Sequence, residues 1–161
     1  MPKPSFINIP HHPQALDYTC VPACVRMVAH YHGLLLPEAE IARPLETDET
    51  GTRFRVIHCL LTLGFDVEIT TGTILDLRKW IDAHFPCIVR IKTTHLPRYP
   101  LPPWVPHAVV VVGITESQVF IHDPAQNSGP DAVPLEAFQA AWAGGQYQFA
   151  VVKPTQTRSS V

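Results

Sequence analysis

Apolar side chains recur with a helical period in the first part of the chain. From Cys20 onward they fall three or four residues apart, at Val21, Cys24, Val25, Val28 and Ala29. Thr19 can cap this helix, and Pro22 is tolerated because amides of the first turn have no intrahelical acceptor. Gly33 is a typical terminator. The pattern therefore predicts a long, mostly buried helix over about 20–32.

Apolar runs typical of β-strands dominate the later part of the chain. Strands are predicted over 65–69, 87–93, 107–114, 118–122 and 147–152, with 6–9 as a possible edge strand. Further helices are predicted over 38–43, 53–63, 74–84 and 134–143. Helices that come first and contiguous strands that come later favour an α+β fold. No repeat or internal boundary is visible, so we expect one domain over 1–161.

Composition excludes several classes of protein. The chain has 161 residues, of which 46% are hydrophobic and 16% charged, as in an ordinary globular domain. A net charge of −2 and the absence of a Lys/Arg block argue against nucleic acid or an anionic membrane as partner. No apolar run is long enough to span a bilayer, and the N-terminal residues do not resemble a signal peptide. We therefore expect a cytoplasmic protein without membrane insertion.

The four cysteines are expected to be reduced thiols in that compartment. Cys20 and Cys24 lie four residues apart in one helix, and no second Cys pair exists, so a zinc site is poorly supported. Cys59 and Cys87 lie in apolar runs and are expected to be small buried side chains. No metal or cofactor is therefore predicted.

Cys20 lies where the first helix is predicted to begin. A thiol there is near the positive end of the helix dipole and near unpaired backbone amides, which favour the thiolate. A neighbouring imidazolium would lower its pKa further. Gln14 precedes the helix, and its side-chain amide could hold an oxyanion together with the backbone N–H of Cys20. Cys20 is thus a candidate nucleophile and Gln14 a candidate oxyanion donor.

His107 and Asp123 are the candidate base and its orienting acid. His107 opens a strand that is apolar on both faces, and Asp123 closes the next strand. If the two strands form a tight hairpin, their open ends lie side by side and Asp123 meets His107. His122 competes for the role of base. Strand alternation, however, sends His122 to the other face when Asp123 points into the site.

A proline-rich segment over 95–106 precedes His107. Prolines cannot join a sheet ladder, so one interpretation is a rigid surface connection. The other is a wall or lid beside His107, in which Tyr99 and Trp104 contact a substrate.

These residues resemble the motifs of papain-like peptidase domains that trim double-glycine leader peptides in bacteriocin-exporting ABC transporters. The first block runs from Gln14 through Tyr18-Thr-Cys20-Val-Pro-Ala to Gly33, and the second pairs His107-Ala-Val-Val-Val-Val-Gly-Ile with Asp123-Pro. The resemblance implies the papain-like fold, with a nucleophile helix packed on an antiparallel sheet. It also implies a Cys20–His107–Asp123 triad, Gln14 as oxyanion donor and no cofactor.

Val21 departs from this resemblance, because the family usually has glycine after the nucleophile. A β-branched side chain there can crowd the cleft and contact the substrate. The leading hypothesis is a cysteine peptidase that cleaves a peptide or isopeptide amide through a thioester. The alternatives are a non-catalytic domain that binds a peptide or leader, and a deamidase or transglutaminase-like effector. The substrate, any partner transporter and the oligomeric state are left open.

Overall fold

The computed structural model describes residues 6–96 and 106–155. Four α-helices lie in these ranges: α1 (Cys20–Tyr31), α2 (Glu38–Ala42), α3 (Ile74–Asp82) and α4 (Leu135–Gly144). Two 3₁₀-helices cover Phe54–Leu63 and Thr93–His95. Six strands are present: β1 (Phe65–Thr71), β2 (Cys87–Lys92), β3 (Pro106–Ile114), β4 (Gln118–His122), β5 (Asp131–Pro134) and β6 (Gln148–Pro154).

The six strands form one antiparallel sheet in the order β1-β6-β2-β3-β4-β5. All of β3 after Pro106 is buried, as expected for a central strand with an almost continuous apolar sequence. Helix α1 packs on β3 and α4 packs on β2. The expected α+β architecture, with a nucleophile helix on an antiparallel sheet, is confirmed.

Helix α1 begins at Cys20, as its apolar spacing predicts. The side chains of Val21, Cys24 and Val25 are buried, which fixes this face of the helix in the core. Thr19 occupies the cap position, but its hydroxyl donates to the Leu16 carbonyl and accepts from the Leu16 N–H. The Thr19 hydroxyl therefore does not cap the helix, and the backbone N–H groups of the first turn receive no hydrogen bond from it.

The segment predicted as a third α-helix is a 3₁₀-helix over Phe54–Leu63. Its buried side chains are Phe54, Ile57 and Leu60, which recur every three residues. A 3₁₀-helix has three residues per turn, so this period places all three on one face. Gly64 ends the helix with a φ of +88°, a conformation that glycine adopts without strain.

Two predictions about strands differ from the structure. The expected edge strand over 6–9 is reduced to one bridge between Phe6 and Gly113 and a bond from the Ile7 N–H to the Val112 carbonyl. The ring of Phe6 occupies the space that a side chain at Gly113 would need. Strand β5 was not predicted, because a four-residue strand with one buried side chain carries almost no alternation signal.

Strands β3 and β4 form the predicted hairpin. Val110 pairs with His122, and Ile114 pairs with Val119 beside the turn. The register shifts between Val111 and Gly113, where the strand carries an irregularity. The hairpin therefore has its open end at His107 and Asp123. Among the described residues, no helix is both long and apolar enough to cross a bilayer.

Candidate active site

Cys20 is the first residue of α1 and lines a cavity of about 710 Å³. The backbone N–H groups of Ala108, Val21 and Cys20 itself donate towards its sulfur. Two of these N–H groups come from the open first turn of α1, and the third comes from the residue after His107. The helix and the central strand thus converge on one thiol.

The thiolate that the helix terminus favours at Cys20 is opposed by burial in this structure. Burial of the sulfur raises the pKa of Cys20 above its ordinary value, although the three backbone N–H groups act in the opposite direction. The negative charge of Asp123 raises this pKa further. Burial is thus the larger influence on the pKa of this thiol, although the Cys20 side chain keeps some exposure to the cavity.

His107 and Asp123 form a buried pair at the open end of the hairpin. The Nε2–H of His107 donates to Oδ1 of Asp123 over 2.8 Å. The same oxygen accepts the backbone N–H of Ala125 at 2.9 Å, which fixes the carboxyl group against the turn. His107 is 2% exposed and Asp123 is 1% exposed. The juxtaposition expected from the two strand ends is present.

Burial favours the neutral form of both members of this pair. It lowers the pKa of His107 to about 4 and raises the pKa of Asp123 to about 7. The hydrogen bond from the backbone N–H of Ala125 lowers the pKa of Asp123, and the charge of Asp131 raises it further. An imidazole that is neutral near pH 7 is in the form that accepts a proton.

His122 lies on the other face of the hairpin, as strand alternation predicts. Its Nδ1 is 2.9 Å from Nδ1 of His11, and Nε2–H of His11 donates to the Gln126 carbonyl at 2.7 Å. His122 is absent from the described cavity lining, so it is not placed to act as base. His11 thereby joins the chain before α1 to the end of β4.

Gln14 is not brought to the cavity. Its side-chain amide donates to the Leu16 carbonyl at 2.8 Å, and its backbone N–H donates to the Pro124 carbonyl at 2.8 Å. Its side-chain oxygen is buried with no hydrogen-bond partner among the described residues. The oxyanion role of Gln14 stays a prediction, and it requires the amide to leave the Leu16 carbonyl.

The cavity is formed by three parts of the chain. Its described lining comes from the start of α1, the segment around 49–55 and the ends of β2, β3 and β6 with the turn before β6. The lining residues are Asp17, Tyr18, Cys20, Val21, Glu49, Thr50, Gly51, Thr52, Arg53, Phe54, Arg55, Arg90, Pro106, His107, Ala108, Gln146 and Gln148. Val21 lines the cavity, and its contact with a substrate stays a prediction. Tyr99 and Trp104 lie outside the described residues.

Sequence reasoning missed the polar side chains on the sheet side of this cavity. Arg90 interrupts an otherwise apolar strand in Cys87-Ile-Val-Arg90-Ile, and a charged residue inside a buried strand is a signal that could have identified it. Gln146 and Gln148 follow α4 and carry no such signal. Arg53 and Arg55 complete the set on the 3₁₀-helix side.

The cysteines other than Cys20 belong to no metal-binding cluster among the described residues. In the described ranges, no group of three His, Cys, Asp or Glu side chains could hold a metal ion. Cys87 is buried as expected. Cys59 is half-exposed, so its expected burial is wrong; on a 3₁₀-helix it falls between the buried positions Ile57 and Leu60.

The model of the family described as Peptidase C39 family matches residues 8–154. This chain belongs to the Peptidase C39 family. As a member of this family it is a cysteine peptidase. The resemblance drawn from the Cys20 and His107 blocks is confirmed. No curated protein matches the sequence.

Solved structures share the fold of this C39 member at low sequence identity. A C39-like peptidase from Bacillus anthracis is 20% identical with a TM-score of 0.75, over 96% of this chain and 100% of that one. A double-glycine-motif protease from an AMS/PCAT transporter, in complex with a leader peptide, is 20% identical with a TM-score of 0.72, over 94% and 98%. The peptidase domain of Streptococcus ComA is 23% identical with a TM-score of 0.73, over 90% and 98%. These likenesses show that the papain-like fold extends over most of the chain.

Proposed function

We propose that this C39 member hydrolyses a peptide amide through a thioester on Cys20, with His107 as base and Asp123 as orienting acid. The observation that carries the proposal is the buried hydrogen bond between His107 and Asp123, in a cavity wall that also contains Cys20 at the start of α1. A base held by a carboxylate next to a thiol is the arrangement that activates a cysteine nucleophile.

The reaction begins from a neutral thiol and a neutral imidazole. Asp123 holds Nε2 of His107, so Nδ1 is the nitrogen assigned to exchange the proton of Cys20. The sulfur attacks the carbonyl carbon as Nδ1 takes this proton. The backbone N–H of Cys20 stabilises the oxyanion together with the side-chain amide of Gln14, which has to leave the Leu16 carbonyl. The imidazolium then protonates the leaving amine, and a thioester remains on Cys20.

The second half of the reaction returns the enzyme to its starting state. His107 removes a proton from water, and the hydroxide oxygen attacks the thioester carbon. The sulfur leaves as thiolate and recovers the proton from the imidazolium. The atoms balance as one water consumed for each amide bond broken.

The substrate class within this proposal is a peptide with a double-glycine motif. It rests on solved structures of similar fold, one described as a double-glycine-motif protease bound to a leader peptide and another as a peptidase domain of an ABC transporter. A partner transporter and a cytoplasmic location belong to the same proposal. So does the extent of the domain over 1–161.

Cleavage of a defined peptide pool tests the proposal. Decapeptides with a central Gly–Gly and randomised flanks are incubated with the wild-type protein and analysed by mass spectrometry. Cys20→Ala is expected to lower cleavage by about a thousandfold or more, because the nucleophile is lost. Cys59→Ala is the matched control, since it removes another partly exposed thiol that does not line the cavity. Equal cleavage by the Cys20→Ala protein would contradict the proposal.

One observation favours a second candidate, a domain that binds a peptide without cleaving it. The side-chain amide of Gln14 is bonded to the Leu16 carbonyl and is absent from the described cavity lining, so the predicted oxyanion donor is not in place at rest. A binding domain retains peptides from the pool in wild-type and Cys20→Ala proteins alike and releases no fragments. Mass spectrometry of the protein separates the two, since only the peptidase carries an acyl group on Cys20 after rapid acid quenching.

A further inference from the structure

Arg90 lines the same cavity as Cys20, from a strand in the central part of the sheet. It pairs with Ala108 across β2 and β3, and the N–H of Ala108 donates towards the Cys20 sulfur. Cross-strand partners share one face of a sheet and lie about 5 Å apart. Both residues line the cavity. The backbone of Arg90 is therefore one strand spacing from the residue that contacts the nucleophile.

The row continues to Gln148 on the other side of Arg90. Val89 pairs with Phe149, so one further step along this register brings Gln148 beside Arg90. The indole N–H of Trp142 donates to the Gln148 carbonyl at 3.0 Å. Gly145 packs so closely on the Arg90 carbonyl that a Cβ atom there would overlap it. Helix α4 thus holds this polar row in a fixed position.

The guanidinium groups of the cavity make no close ion pair with a described residue, although the charge of Arg53 acts on Asp48, which lies outside the described lining. In the described ranges, no carboxylate lies within ion-pair distance of Arg90, Arg53 or Arg55. Asp17 and Glu49 also line the cavity, but neither is paired with these arginines. Because β2 lies between β6 and β3, Arg90 is not an edge residue that simply extends into bulk water. A partly buried arginine in an apolar strand, unpaired and facing a cleft, is suited to an external anion.

We propose that Arg90, with Arg53 and Arg55 in the same cavity, forms a subsite for a substrate carboxylate within about three residues of the scissile bond. The limit of about three residues comes from comparing two lengths. Arg90 is one strand spacing from Ala108, and an extended peptide advances by about 3.3 Å per residue. The subsite specifies the substrate class of the peptidase proposed above and rests on that proposal. The carboxylate belongs to an acidic side chain or to a free C-terminus.

Matched peptide pools distinguish these two sources. Decapeptides with a central Gly–Gly carry Glu or Gln at each of the three positions on either side, and tripeptide extensions after Gly–Gly end in a free acid or an amide. Cleavage by wild type gives the ratio of kcat/KM within each pair. Retention on immobilised Cys20→Ala protein gives the ratio of bound peptides without any chemistry.

A preference of about tenfold for Glu over Gln is expected at one or two of these positions, as for a charge-assisted hydrogen bond. Arg90→Gln reduces this ratio to about one. Arg43→Gln, which removes an exposed arginine outside the cavity, leaves the ratio unchanged. An Arg90-dependent preference for the free acid over the amide assigns the subsite to a C-terminal carboxylate instead. If the kcat/KM ratio and the retention ratio are about one for every pair, the proposed subsite is wrong. Cleavage of any pool would still support the proposal that the protein is a peptidase.

A charge-reversal variant of Arg90 distinguishes the loss of the subsite from the loss of the fold. For this test, a further pool of decapeptides carries Lys at the same positions. Arg90→Glu is expected to invert the preference, so that Lys pools are favoured over Glu pools. A misfolded protein cannot gain a new preference. If the Glu preference persists in the Arg90→Glu protein, Arg90 does not bind the carboxylate. If Lys pools are retained by this variant in its Cys20→Ala form but never cleaved, the subsite stands and the peptidase proposal fails.

Discussion

At Cys20, two effects of the fold act on one thiol in opposite directions. The open first turn of α1 and the N–H of Ala108 favour negative charge on sulfur, whereas burial disfavours it and dominates. His107 is likewise kept neutral by burial. We therefore expect the neutral thiol and the neutral imidazole to predominate at rest, with charge separation in the step in which sulfur attacks the carbonyl carbon.

The pH dependence of alkylation by iodoacetamide tests this neutral resting state. Only the thiolate reacts, so the rate at Cys20 is expected to rise with pH beyond the midpoint of an ordinary cysteine, near 8.5. Mass spectrometry of peptides follows Cys20, and a free cysteine-containing peptide in the same tube serves as the reference. A rate at Cys20 that is already constant below pH 7 would show that an ion pair exists at rest.

At the level of secondary structure, the contact of α4 with β2 sets the position of Arg90. Gly145 has a φ of −92°, which any residue can adopt, so glycine is required here for space and not for backbone freedom. A methyl group added at its neighbour Gly144 would lie 2.8 Å from the Cβ atom of Lys92, which is fixed to the strand. This contact is tight, but it is less close than the overlap of a Gly145 methyl group with the Arg90 carbonyl.

The two adjacent glycines therefore give a matched pair of variants. Gly145→Ala is expected to lower the free energy of unfolding by about 3 kcal/mol, because the new methyl group overlaps the Arg90 carbonyl and forces α4 away from β2. Gly144→Ala is expected to cost less, since its methyl group approaches the Cβ atom of Lys92 less closely than a Gly145 methyl group approaches the Arg90 carbonyl. Urea unfolding followed by tryptophan fluorescence measures both. A larger loss for Gly144→Ala would mean that α4 is not held at the strand carbonyl.

On the scale of the whole molecule, the buried carboxyl group of Asp123 lowers the free energy of unfolding once it ionises, and the rest of the fold offsets this loss. Asp123 is buried and its pKa is raised to about 7, whereas an unfolded chain ionises this carboxyl near 3.8. The folded state therefore binds more protons between these values, and the contribution of Asp123 to stability falls as pH rises from about 4 to about 7. The same carboxyl orients His107.

Asp123→Asn removes this cost and is expected to be the more stable protein. The Asn oxygen can still accept from His107 and Ala125, but it does not ionise. Its advantage in the free energy of unfolding is expected to grow between pH 4 and 7 and to reach at most about 4 kcal/mol above pH 7. Peptide cleavage is expected to fall, since the amide does not stabilise an imidazolium.

Urea unfolding of both proteins at pH 4.5 and pH 8 measures this difference. Asp82→Asn, at an exposed position that ends α3, controls for the loss of a carboxylate. A wild-type protein that is the more stable of the two at pH 8 would contradict the burial argument. It would show instead that the charged pair stabilises the fold.

Local patterns in the sequence were sufficient for most of the secondary structure. The helical spacing after Cys20 places α1, and the apolar run after His107 places the central strand, because both patterns report burial of one element at a time. The hairpin joins residues only 16 positions apart, so the contact of His107 with Asp123 could be anticipated from its short turn. Their roles as base and acid stay predictions.

Only the tertiary structure decided how water and distant segments act on these residues. The sequence places Cys20 at a helix terminus, but its pKa follows from the removal of solvent by β3 and the surrounding core. Gln14 is near Cys20 in sequence, yet its side chain bonds to Leu16. Arg90 comes to the cavity through pairings with β3 and β6, which no local pattern reports. The sequence by itself determined which elements form and which groups can react; tertiary contacts determined their ionisation and their partners, because solvation and long-range pairing depend on the whole assembled chain.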